Sequence, residues 1–357
     1  MEIKLYKKET TSTFRSPLND FKPTTVKIEI RQDPLTAHRT RLVPYRFKSL
    51  GEADLRSMLE ESLKRACPFC PEHLPQRAAR FLEDWVPEGH IKKGEAVIFP
   101  NAFPYERHNS VCVLCRRHFV PINGFESKWI FEALLACQDY FRLLIRKDPK
   151  AIHGSINWNF LPLSGAGLIH PHFQLIAGNR PTRYEGEILK KTKGYFRKNN
   201  RPFFSDLLRQ ERKTGERYIG RSGRVHWLTA FAPLGVMEIM ALWEKGGTIL
   251  TLPENLLGDF TEGLVRVLNF LGSKNISSLN MTIYLLLEKQ AHFPILAKII
   301  PRIELPPLKV SEINYFERLH HEILTFYPPE EVAAEMRVFF SDDLAKSKFA
   351  GPDVPGA

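Results

Sequence analysis

The stretch SINWNF-LPLSGAGLI-HPHFQLIA, residues 155–177, decides how this chain is read. Two strand-like runs flank a loop that carries Ser164, Gly165 and Gly167. In an extended strand, residues two apart project from the same face. His170, His172 and Gln174 therefore line one side of the second run, while Phe173 and Leu175 turn to the other. Two imidazoles and an amide make a poor hydrophobic surface and a good phosphate site. The neighbouring glycines help, because they let backbone N–H groups approach anionic oxygens. A half-exposed strand with incidental polar residues is the plainer alternative.

Working outward, the same order of elements occurs twice. AVIFPNAF (96–103) and SVCVLC (110–115) read as strands. A helix from about Glu126 to Arg146 follows, with Ile130, Phe131, Leu134, Leu135, Phe141, Leu144 and Ile145 on a helical period. Asp148-Pro149 stops it. The second half replays this with VHWLTAFAP (225–233), VMEIMALW (236–243) and GGTILTL (246–252) as strands. Then come a helix over about Pro253–Leu271 and the strands LNMTIYLLLE (279–288) and HFPILAKIIP (292–301). Strand–strand–helix–strand–strand, twice over, predicts an α+β fold built by duplication, with antiparallel sheets and helices packed on one face. VKIEIR (26–31) and RTRLVPY (39–45) add upstream strands, and PEEVAAEMRVFF (329–340) reads as an amphipathic helix. The expected organisation is an N-terminal half over 1–180, a basic connector over 181–226, a degenerate second repeat over 227–345, and a tail over 346–357.

The chain has 357 residues, 43% of them hydrophobic, which is enough apolar surface for a sizeable core and excludes bulk disorder. No run approaches the 18 or so apolar residues of a membrane helix. The N-terminus lacks the apolar core of a secretory signal, so a cytoplasmic protein is expected. A net charge of +11 favours an anionic partner. Between Glu185 and His226, twelve basic residues stand against five acidic ones, which most simply marks a solvated connector. Five cysteines do not make a disulfide framework here. Cys67-Pro-Phe-Cys70 can instead grip one tetrahedral zinc if two more ligands converge. Cys112 and Cys115 lie three apart in a strand-like run, so they face opposite ways and read as packing residues. His118, past a turn, and His170 are freer candidates. His320-His321 diverge on a helix and read as an exposed pair.

Taken together these motifs resemble the galactose-1-phosphate uridylyltransferase family of the histidine-triad superfamily, over roughly residues 27 to 340. Arg31-Gln-Asp-Pro-Leu-Thr36 with Pro44-Tyr-Arg46 is similar to its opening motif, and Phe99-Pro-Asn101 to its nucleotide-pocket turn. Asn159 and His170-Pro-His172-x-Gln174 are similar to its active-site strand pair. The resemblance implies nucleotidyl transfer from a nucleoside-diphosphate sugar, with His172 as nucleophile and Gln174 bonding a phosphate oxygen. It implies phosphate or nucleotide contacts from Arg31, Arg46, Asn101, Asn159, Ser164, Gly165 and Gly167. It further implies a structural zinc on Cys67, Cys70, His118 and His170, and a homodimer in which Arg31 and Arg46 reach the other subunit's phosphates. The acceptor is a sugar phosphate or inorganic phosphate. Phe173, where uridylyltransferases usually have glycine, resembles the phosphorylase branches. No membrane partner is expected. A zinc-stabilised nucleic-acid-binding protein using the basic segment, and a catalytically silent regulatory relative, are the alternatives from other classes.

Overall fold

At the centre of the molecule two strands pair antiparallel, β7 (His153–Phe160) and β12 (Ser278–Leu286). They join two copies of one motif. The first copy runs β4 (Ile91–Lys93), β5 (Ala96–Pro100), β6 (His108–Val113), the helix α3 (Ser127–Lys147), β7 and β8 (His172–Gly178). The second runs β9 (Tyr218–Ser222), β10 (Val225–Thr229), β11 (Ile239–Trp243), the helix α6 (Glu254–Ser273), β12 and β13 (Leu296–Arg302). Across the sheet the order is β4-β5-β6-β8-β7-β12-β13-β11-β10-β9, which reads the same from either edge. That palindrome is the duplication expected from the sequence. This computed structural model describes residues 2–44, 55–243, 247–305, 308 and 310–341.

Alternation assigns the two faces. Ile156, Trp158 and Phe160 of β7 share one core with Phe173 and Leu175 of β8, Met281 and Ile283 of β12, and the apolar sides of α3 and α6. Both long helices therefore pack on one face, as expected, and α8 (Pro329–Phe340) joins them. The opposite face of the second copy is also covered. The basic segment folds into α4 (Arg183–Asn199) and α5 (Phe203–Thr214), then contributes β9. Thr182 and Glu185 form a capping box at the start of α4, and Asn200 ends it in the left-handed conformation. Ile188, Phe203, Phe204 and Leu207 then pack on Leu228, Met240, Leu242 and Leu296. Apart from Arg217 the basic residues of this segment are exposed, because its apolar residues have a sheet to cover, while Glu185, Asp206 and Glu211 are buried with them.

Two short helices, α1 (Leu55–Leu63) and α2 (Leu74–Arg77), precede the sheet, and α7 (Tyr315–His320) precedes α8. A smaller sheet holds β1 (Tyr6–Arg15), β2 (Pro23–Gln32), β3 (Arg39–Leu42) and Ile323–Thr325. Two expectations change in detail. The strand expected over GGTILTL is absent from its described residues, 247–252: Ile249–Thr251 is a 3-10 turn that Thr248 caps through Leu250 N. Gln138 of α3 donates to the carbonyls of Ile249 and Leu252 there, so tertiary contact overrides β-propensity. Cys115 lies beyond β6 rather than on it, so both Cys112 and Cys115 turn into the same core. The tail over 346–357 lies outside the described residues. Among those residues no helix is long and apolar enough to cross a membrane.

A buried ionic network ties the ends of the chain to the connector. Arg217, with 2% of its side chain exposed, contacts Glu211 at 3.0 Å, Glu216 at 2.8 Å and Glu330 at 2.7 Å. Glu330 also holds Arg31 at 2.8 Å. Burial works to raise Glu330, but hydrogen bonds and charge from Arg31 and Arg217 overcome it and hold the carboxyl at about 2. A carboxyl depressed on folding stabilises the protein above its ordinary pKa and loses that contribution as pH falls through the folded value. Arg217→Met leaves the buried Glu211 carboxylate without its partner and is expected to cost about 3–5 kcal/mol in urea unfolding at pH 7. The gap to the wild type should narrow as pH falls from 4.5 towards 2, the interval in which the unfolded chain binds a proton at Glu330 that the folded wild type does not. Equal stability at pH 7 would contradict the network's role.

Candidate active site and metal centre

Cys67-Pro-Phe-Cys70 folds as a turn, with Cys70 N donating to Cys67 O at 3.3 Å. His73 N and Leu74 N then donate to Cys70 O and start α2. This turn puts both thiols on one side, facing His118 and His170. One ligand atom from each of the four lies within 4.8 Å of the others. The imidazoles are oriented from behind. His170 Nε2 donates to the carbonyl of Cys115 at 2.9 Å, so Nδ1 carries a lone pair, 3.6 Å from Cys70 Sγ and 3.8 Å from Cys67 Sγ. His118 places Nδ1 3.2 Å from Cys70 Sγ and Nε2 2.9 Å from Ser62 Oγ. Such outer partners are what metal-ligating histidines use to fix tautomer and direction. Burial, then the adjacent Cys67, push the Cys70 thiol up to about 12, and burial takes His170 down to about 4. A cation placed among the four would reverse the first effect by stabilising thiolate. The donor set thus fits a metal ion.

Just past this cluster β8 begins, one pair of residues later than the sequence suggested: His170 precedes the strand and His172 opens it. His172 and Gln174 share a face, and Phe173 turns into the core against Trp158, ring centres 5.2 Å apart. The bulk at position 173 therefore stays out of the site. His172 Nδ1 bonds the carbonyl of His170 at 2.7 Å. A carbonyl only accepts, so Nδ1 carries the proton and Nε2 the lone pair. Nε2 has no hydrogen-bond partner among the described residues. Burial lowers this imidazole's pKa, against the opposing pull of the His170 carbonyl, which keeps the ring neutral near pH 7. Phe69, from the cysteine turn, sits edge-on to His172 at 5.1 Å.

The glycine loop lies beside this face. Pro162–Ser164 forms a 3-10 turn that Gly165 ends at φ +92°, a conformation suited to glycine. A methyl group at Gly165 or Gly167 would meet nothing within 4 Å, so the loop borders open space. Ser164 is buried, and its hydroxyl donates to Leu161 O at 2.7 Å. Asn159 Oδ1 accepts from Asn280 Nδ2 at 2.7 Å, and the same amide reaches Ser164 O at 2.9 Å. Arg302 Nη1 donates to Asn280 Oδ1 at 3.2 Å. Second-copy residues thus hold the loop of the first copy.

Asn101 turns the loop after β5, accepting from Phe103 N at 2.9 Å and donating to Asn109 Oδ1 at 3.1 Å. Arg31 is elsewhere engaged: it is 5% exposed, and its guanidinium bonds Glu29, Glu330 and Phe231 O. Arg46 lies outside the described residues. His320 and His321 are exposed, as read from the sequence. Asn280, Ser62 and Tyr105, which donates to Gln174 Oε1 at 2.6 Å, escaped the sequence reading. Asn280 alternates with Thr282 on the polar side of a strand-like run, a signal that could have marked it.

No family model matches the chain. A protein of Archaeoglobus fulgidus, described only as uncharacterized, is 31% identical over 317 residues, 88% of this chain and 93% of that protein. Among solved structures, an ADP-glucose phosphorylase from Arabidopsis thaliana with bound ADP-glucose superposes with TM-score 0.68 at 18% identity, covering 87% of this chain and 98% of that one. A GalT-like protein from Arabidopsis thaliana gives 0.66 at 19%, and a uridylyltransferase 0.65 at 17%, each with the same coverage. By sequence the chain belongs to one family with the Archaeoglobus fulgidus protein, and it carries the fold shared by the ADP-glucose phosphorylase, the GalT-like protein and the uridylyltransferase.

Proposed function

We propose that this protein is a nucleotidyltransferase acting on a nucleoside-diphosphate sugar through a covalent nucleotidyl-histidine. The observation that carries the reading is the 2.7 Å bond from His172 Nδ1 to the His170 carbonyl, which leaves Nε2 as a neutral nucleophile. In the proposed step, Nε2 attacks the α-phosphorus, the bond from that phosphorus to the bridging oxygen breaks, and a sugar phosphate departs. An oxygen of a second phosphate then attacks the same phosphorus and frees Nε2. Gln174, on the same face, donates to a non-bridging oxygen as charge gathers there. The glycine loop and Asn159 border the phosphates, and Asn101 borders the nucleoside. A homodimer belongs to the same proposal. Similar folds in an ADP-glucose phosphorylase and a uridylyltransferase support this class of chemistry.

Protein incubated with α-32P-labelled ADP-glucose or UDP-glucose should retain acid-labile, base-stable label, and His172→Ala should retain none. Chasing the labelled protein separates the acceptors: release by inorganic phosphate marks a phosphorylase, and release only by a hexose phosphate marks a transferase. Wild type that takes no label from either sugar nucleotide contradicts the reading.

Within this proposal Cys67, Cys70, His118 and His170 hold zinc. Four protein ligands leave no open position, so the ion would supply structure rather than chemistry. Its place would be to anchor His170, whose carbonyl orients the nucleophile. Purified protein should contain about one zinc per chain. Cys67→Ser should lose most of it and unfold at lower temperature; unchanged metal content would remove this ligand set.

A further inference from the structure

The turn that Asn101 closes continues into a loop that folds back over the sheet. Asn101 pins its start to β6 through Asn109, and four residues on Tyr105 donates its phenolic hydrogen to Gln174 Oε1. Tyr105 is 66% exposed, so packing is not what the residue contributes here. A phenol is protonated at neutral pH, so the hydroxyl has a hydrogen to donate.

An amide has one end that accepts and one that donates. Phosphate oxygens without protons only accept, so Gln174 can serve them only through Nε2. Its terminal torsion is broad and roughly two-fold, so an untethered glutamine presents either end. A hydroxyl donating to Oε1 selects one of the two. Gln174 Nε2 is then left without a hydrogen-bond partner among the described residues, on the face that carries His172.

We propose that Tyr105 is a positioning residue: its hydroxyl fixes the Gln174 amide with Nε2 directed to the phosphate that His172 attacks. The assignment rests on the nucleotidyl-transfer reading and adds a residue from the loop beside the nucleoside. It also links the two halves of the substrate, because a base settling against the Asn101 turn would steady the residue that aims Gln174.

The test is a double-mutant cycle read in single-turnover labelling with α-32P ADP-glucose and UDP-glucose. Tyr105→Phe should slow label transfer about 3- to 10-fold, the worth of one hydrogen bond, with unchanged binding of the sugar nucleotide and unchanged melting temperature. In a Gln174→Ala background the same change should have no further effect, since no amide remains to be aimed. Tyr105→Phe labelling at the wild-type rate, or slowing equally in both backgrounds, would overturn the assignment while leaving the transfer reading intact. Absence of label on the wild type would overturn both.

Discussion

The hydrogen bond from His172 Nδ1 to the His170 carbonyl gives two neighbouring imidazoles different tasks. One residue supplies a ring to the cysteine cluster and, through its backbone, decides which nitrogen of the next histidine holds a proton. Its own ring is fixed from behind by the Cys115 carbonyl, and Phe69 of the cysteine turn rests against His172. The cysteine turn therefore touches both rings, through its thiols at His170 and through Phe69 at His172.

The second copy of the motif does not repeat the face that carries His172 and Gln174. Gln174, Asn157, Thr282 and Lys298 form a single row across the centre of the sheet, each paired with the next. Lys298 thus stands where Gln174 stands in the first copy, and Leu296 stands where His172 does. Lys298 is buried and bonded to Glu238 at 2.6 Å, and Leu296 lies beneath α4 and α5. In the second copy the connector covers the face on which the first copy carries His172 and Gln174. In exchange the second copy supplies Asn280, whose amide bridges Asn159 and the glycine loop. Duplication has become division of labour.

Much of this was legible because it depends on short spacings. Alternation in residues 172–175 separated the site face from the core face, and the order of strands and helices announced the repeat. Cys67 and Cys70 needed only a turn to converge. What escaped depends on contacts far apart in sequence. Thr248 to Leu252 reads as β-rich, yet the side chains of α3 draw its carbonyls into a turn. The connector reads as solvated because its charges outnumber its apolar residues, although the latter pack in helical register on a sheet written later in the chain. Arg31 sits in a motif that suggests phosphate contact, but the partners that enclose it, Phe231 and Glu330, lie two and three hundred residues away. Tyr105 and Gln174 are joined by loop geometry that no periodicity encodes.

The most direct measurement is the nitrogen to which phosphorus attaches. Protein carrying 15N-histidine, mixed with a sugar nucleotide and trapped at alkaline pH, can be followed by nitrogen–phosphorus coupling in NMR. The account predicts a single adduct on Nε2 of His172, because the His170 carbonyl reserves Nδ1. Attachment at Nδ1, or at any other residue, would contradict it.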